Sequence, residues 1–178
     1  MRIIAGSRKG AIIAAPRGTR TRPTADRVRE AVFSMLGSVE GLTVLDLFSG
    51  SGALALEALS RGAAAAVMVD SRAGAVRTIA DNISKLKYDN VSLSRRDWLV
   101  FLKDAAKKQQ QFDLIFVDPP YKMHRVIAAD LEKRLPAVTA PRGRIVVEFD
   151  ARGDVTLPLA LLADKRYGDT RVRVYGDG

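Results

Sequence analysis

The stretch VDPPYK, residues 117–122, ends an apolar run with an acid, two rigid prolines and an aromatic ring. Consecutive prolines remove two backbone donors and fix two φ angles, so the chain there neither extends a ladder nor opens a helix freely. Such a backbone suits the task of holding a weak nucleophile still. The exocyclic amine of a nucleobase is one, because its lone pair is delocalised into the ring. Asp118 and the carbonyl of Pro119 can each accept one N–H, Pro120 keeps that carbonyl in place, and Tyr121 can stack on a base taken out of its helix. The sole histidine, His124, follows closely, but an amine that loses its proton during or after transfer needs no histidine base.

A second stretch, VLDLFSGSGAL at 44–54, supplies the other half of such a reaction. An apolar run passes through Phe48 into a turn where Gly50 and Gly52 let backbone approach a ligand, and the helix that follows offers free N–H groups to an anion. Alone, the glycines fit a dinucleotide loop equally well. Asp46, four residues before Gly50, favours a ligand with a cationic amino group, and S-adenosylmethionine has both the carboxylate and the ammonium that this arrangement requires. Asp70 closes the next apolar run, 18 residues after Gly52, near the spacing at which an acid receives ribose hydroxyls. Asp97 closes the third and can accept from the adenine amine, with Trp98 as an apolar wall beside it.

The elements that must position these residues are legible as well. From residue 43 onward, TVLDLF, AAVMVD, VSLSRRD, FDLIFVD and GRIVVEF alternate with helical patterns, which predicts a doubly wound, mostly parallel α/β sheet. LADKRYGDTRVRVYG predicts a closing antiparallel hairpin around Gly168 and Asp169, and KKQQQ at 107–111 an exposed loop. In a doubly wound sheet the first and fourth strands flank the switch point, so the glycine turn and VDPPY should meet. Upstream, RIIAG and AIIAAP flank SRKG as a short β hairpin, and a helix starts at Thr24 after Pro23 with Val28, Ala31, Val32, Met35 and Leu36 on one face. One domain over 1–178 is expected, with 1–38 as a basic extension.

The net charge of +9 is concentrated: the segment from Met1 to Arg29 carries +7, with Asp26 its single acid. A block this one-sided predicts a phosphate-contacting surface, with Arg8, Lys9, Arg17, Arg20, Arg22 and Arg27 as RNA contacts. Cysteine is absent, which excludes a cysteine nucleophile and thiolate metal sites, and no metal is expected. The longest apolar run is too short for a membrane span, so a cytoplasmic protein is expected.

DLFSGSGALALEALSRGA, FVDPPY and RPTADRVREAVFSML together resemble the bacterial small-subunit ribosomal RNA guanine-N2 methyltransferases of the RsmD type, along nearly the whole chain. The resemblance implies a seven-stranded Rossmann-like methyltransferase fold, S-adenosylmethionine as donor with S-adenosylhomocysteine as product, and one guanine of 16S rRNA, in an assembling or assembled small subunit, as substrate of a monomer. It implies that Asp46, Phe48, Gly50, Gly52, Asp70, Asp97 and Trp98 hold the donor, and that Asp118, Pro119, Pro120 and Tyr121 hold the guanine. DPPY is shared with DNA adenine-N6 and protein glutamine-N5 methyltransferases, which are the rival enzymes. A non-catalytic ribosome assembly factor is the rival from another class.

Overall fold

A computed structural model describes residues 1–16, 23–120, 123–151, 153 and 155–177. Its centre is a seven-stranded sheet in the order β3-β2-β1-β4-β5-β7-β6. Five strands run parallel: β1 (Thr43–Leu47), β2 (Ala65–Val69), β3 (Val91–Ser94), β4 (Phe112–Val117) and β5 (Thr139–Asp150). The hairpin of β6 (Ala160–Tyr167) and β7 (Thr170–Gly176) closes the sheet antiparallel, turning at Gly168 as the sequence predicts.

Both faces of the sheet are covered, and the period of two in its strands shows how. Val44, Met68, Leu114, Phe116, Val146 and Val174 point to one face, where they pack with Val32 and Phe33 of α1 (Pro23–Leu36), Leu56 of α2 (Ala53–Ser60) and Ile79 of α3 (Ala73–Leu86). Leu45, Leu47, Ile115, Val117, Ile145 and Val147 point to the other, against Phe101 and Leu102 of α4 (Trp98–Lys107) and Leu131 and Leu135 of α5 (His124–Val138). The crossovers therefore change face between β3 and β4, which puts the switch point between β1 and β4. No helix among the described residues is long and apolar enough to cross a membrane.

The N-terminal hairpin is shorter than its sequence suggests. One bridge, Arg2 to Ile12, and a few flanking hydrogen bonds make it up, because its remaining donors turn to α2 instead. Ile4 and Ala5 donate their N–H groups to Glu57 Oε2 and Oε1 at 2.7 and 3.0 Å, and Ser7 donates to the Ser60 carbonyl at 2.7 Å. Glu57 is fully buried and also takes Arg61 Nε at 2.8 Å, with Arg29 Nε 3.8 Å away. Gly6 lies so close to the helix end that a Cβ would sit 1.7 Å from the Ser60 oxygen. The extension is thus clamped to the body along α2. Its helix starts at Pro23, one residue before the expected Thr24, a position proline fills well at a first turn.

Candidate active site

The C-terminal ends of β1, β2, β4 and β5 open into a cavity of about 550 Å³. β1 carries Asp46 to its floor, and the chain then reverses through Phe48, whose φ of 63° places a bulky residue in the left-handed region. Ser49 laces the reversal to β2: its N–H donates to the Val69 carbonyl and its Oγ accepts the Val69 N–H, both at 3.0 Å. Gly52 then caps α2 at φ 77°, and a Cβ there would come within 3.1 Å of Met68 Sδ and 3.4 Å of Leu56 Cδ1, so no larger residue fits without displacing the core. Gly52 has no side chain to cap α2, and of the first-turn N–H groups only that of Ala55 meets a side-chain acceptor among the described residues, Asp46, while Ala53 and Leu54 line the cavity.

Asp46 is only 2% exposed, and its Oδ2 accepts the Ala55 N–H at 3.3 Å. Burial pushes this carboxyl up to about 8; the Ala55 bond opposes the rise, and the charges of Asp118 and Asp70 add to it. A buried acid with one weak donor lacks a cation. Asp70 is the opposite case. Burial raises it, but Arg72 and the backbone hold it below the ordinary carboxylate range: Oδ1 accepts from Arg72 N and Nε at 2.9 and 3.2 Å, and Oδ2 from Gly50 N and Arg72 Nη2 at 2.9 and 3.1 Å. Those four donors fill the carboxylate's acceptor sites. Asp70 therefore locks the glycine turn as well as facing the cavity.

The apolar end of the cavity is formed by Phe48 and Trp98, whose rings lie 5.7 Å apart at 40°. Asp97 borders it and caps α4, its Oδ1 accepting from Leu99 N at 2.9 Å and Val100 N at 3.3 Å. Its Oδ2 has no partner among the described residues. Across the switch point β4 delivers Asp118, Pro119 and Pro120 to the same cavity. Asp118 faces the opening, yet the protein around it pushes its carboxyl up to about 6. Tyr121, expected to stack on a base, lies outside the described residues.

Several cavity residues escape the sequence reading, Glu148, Arg72 and Arg29 among them. Glu148 follows Val147, the last residue of β5 that pairs with β4. Arg72 is the partner of Asp70. Arg29, 4% exposed, donates to the Arg2 carbonyl at 2.6 Å and to Asp26 at 3.2 Å, so the N-terminal segment walls one side of the cavity. Glu148 had a signal, an acid at the end of an apolar strand, as in DLF and VDPP; the two arginines are invisible without the fold. Among the expected RNA contacts, Lys9 and Arg27 are exposed and border one shallow groove, whereas Arg17, Arg20 and Arg22 lie outside the described residues. Arg8 is exposed but tethered: its Nε donates to the Leu86 carbonyl at 3.0 Å and its guanidinium lies 5.5 Å from the Tyr88 ring centre. No group of acids and histidine able to hold a metal occurs among the described residues.

A family model described as Conserved hypothetical protein 95 matches residues 1–176. The chain belongs to this family, the RsmD-type methyltransferases. Within the RsmD-type group, a Bacillus subtilis protein named as a candidate rRNA methyltransferase, YlbH, is 38% identical over 182 residues, covering 98% of each chain. Escherichia coli Ribosomal RNA small subunit methyltransferase D is 38% identical over 123 residues, 68% of this chain and 61% of that one. The solved structure of yhhF from Escherichia coli, titled as a candidate methyltransferase, superposes with a TM-score of 0.84 at 32% identity over 99% of this chain and 97% of that one. The RsmD-type fold is therefore shared from the N-terminal hairpin through β7.

Proposed function

We propose that this protein methylates the exocyclic N2 amine of one guanine in small-subunit ribosomal RNA, with S-adenosylmethionine as donor. The observation that carries the reading is the meeting of a cation-seeking acid, Asp46, with the DPP turn in one cavity at the switch point. The residues present fit the donor. Asp46 lacks a counter-charge and would take the ammonium, and the glycine turn with the first turn of α2 would take the carboxylate. Asp70 would receive the ribose once Arg72, 53% exposed and free to swing, gives up part of its hold. Trp98 and Phe48 would flank the adenine, and the unpartnered Oδ2 of Asp97 would take its amine. When bound, the donor supplies an electrophilic methyl group on a sulfonium.

On the substrate side, Asp118 titrates near 6 and is ionised at neutral pH, so it accepts an N–H of the target amine and offsets the positive charge that grows there. Pro119 and Pro120 fix the backbone beside it, and Tyr121 stacks on the base. Lys9 and Arg27, with Arg17, Arg20 and Arg22 from the same basic segment, contact phosphates, and the enzyme acts in the cytoplasm as a monomer.

The test incubates the protein with radiolabelled donor and small ribosomal subunits lacking the modification, then digests the RNA to nucleosides. Label in N2-methylguanosine is expected. Label in an adenosine, or in ribosomal protein alone, would refute the assignment.

A further inference from the structure

Glu148 lines the active cavity and takes no part in the mechanism above. Val117 of β4 and Val147 of β5 form the last register pair between these parallel neighbours, so Asp118, just past the end of β4, and Glu148, the next residue of β5, follow at the same level. Neighbouring strands lie about 4.8 Å apart. Glu148 is half-buried, and no hydrogen bond or ion pair to it occurs among the described residues. The cations of the cavity are engaged elsewhere: Arg29 on Arg2 and Asp26, Arg72 on Asp70, and Arg96 on Asp104 at 2.7 Å. A carboxyl held in a pocket with no partner among the described residues is open to a ligand.

Sheet order indicates which ligand. The donor residues belong to β1, β2 and β3, on one side of β4, whereas β5 lies on the other side. Glu148 therefore belongs to the half of the cavity that takes the base. Burial and the nearby charge of Asp118 push its carboxyl up to about 8, so at neutral pH it keeps its proton and offers one acceptor and one donor side by side. Guanine presents the matching pair on the edge next to its N2 amine: N1–H, a donor, and O6, an acceptor. Adenine, placed with its amine in the same position, presents N1 as an acceptor and then a C–H.

We propose that Glu148 reads the target base, its carboxyl pairing with N1–H and O6 of guanine while Asp118 holds the N2 amine, which makes it the residue that selects guanine. The proposal rests on the guanine-N2 reading. A site built to hydrogen-bond two polar groups discriminates strongly against an analogue that lacks them, because its own groups are then left unpaired.

The experiment replaces the target guanine, once mapped, by 2-aminopurine in rRNA reconstituted into small subunits. This base keeps the amine but has neither N1–H nor O6. Single-turnover rates with labelled donor are compared for the wild type, Glu148→Ala and Glu148→Gln. The wild type should prefer guanine by about 10- to 100-fold. Glu148→Ala should bring the two substrates to within a few-fold of each other, and Glu148→Gln, which keeps one donor and one acceptor, should retain most of the preference. Equal wild-type rates on the two bases overturn the proposal, as does a Glu148→Ala enzyme that is slower on both but keeps the ratio. Failure of the underlying reading looks different: the wild type then labels neither base.

Discussion

Replacing Asp46 by asparagine should make the free protein more stable while weakening its grip on the donor. In the folded protein this carboxyl titrates near 8, against an ordinary value of 3.8. Because the folded value lies above the unfolded one, the folded state binds more protons between the two, and stability falls as pH rises from about 4 to 8. The gap sets a ceiling of about 5–6 kcal/mol, and local relaxation reduces it to a few kcal/mol in practice. Without ligand, Asp46→Asn should therefore melt several degrees above the wild type at pH 8.5 and close to it at pH 4. Donor binding runs the other way. A cationic ligand needs the ionised acid, so at pH 7, where roughly nine in ten Asp46 groups hold a proton, binding should release about one proton. Wild-type affinity for S-adenosylhomocysteine should rise by up to about tenfold per pH unit from 6 to 8, and the variant should be weak and nearly flat. Scanning calorimetry, with titration calorimetry in buffers of different ionisation enthalpy, measures both. Proton uptake on binding, or a variant less stable than the wild type at pH 8.5, refutes the reasoning.

Asp118→Ala should lower the single-turnover rate by about 10²–10³-fold with donor affinity retained, since one preorganised acceptor is removed from the chemical step; Tyr121→Phe should be mild and Tyr121→Ala severe. Glu57→Ala leaves Ile4 N, Ala5 N and Arg61 Nε without their buried acceptor, and denaturant unfolding should show a loss of about 3 kcal/mol or more, with earlier proteolysis within residues 1–16. Arg72→Ala frees two acceptor sites on Asp70 and should tighten donor binding a few-fold by calorimetry. Alanine at Lys9, Arg17, Arg20, Arg22 and Arg27 should flatten the salt dependence of RNA binding by roughly 0.7–0.9 in log–log slope for each phosphate left without its cation. Arg8→Ala should in addition lower the melting temperature, because Arg8 also ties the hairpin to Leu86.

What sequence reveals of the site follows from how each residue is held. Asp46, Gly50, Gly52 and Asp70 sit at short offsets along one strand–turn–helix–strand unit, so local spacing is enough to find them and the sheet edge they share. Arg8 shows the limit: its charge is visible, but the carbonyl it serves is 78 residues away in sequence. Asp97 is similar, since the residues it caps are local but the ring pair beside it joins Phe48 to Trp98 across the sheet edge. Glu57 is the clearest omission, as an acid on a short helix reads as solvent-facing until the hairpin is seen lying on it. The N-terminal hairpin itself is legible only in outline, because its donors choose between pairing with each other and pairing with α2, and only packing decides.

The strand order also governs when during synthesis this protein can first work. β7 is made after β6 yet lies between β5 and β6, so β6 has no neighbour to pair with until β7 arrives. Until then β5 presents an open edge along the strand that carries Glu148, and seven register pairs from Arg144–Gly176 to Asp150–Thr170 are missing. A nascent chain can thus assemble the donor half early, from β1 to β4, while the base-reading half waits for the final strand. Premature release would yield a molecule able to bind a donor but with a loose grip on its substrate and an unpaired edge open to other chains.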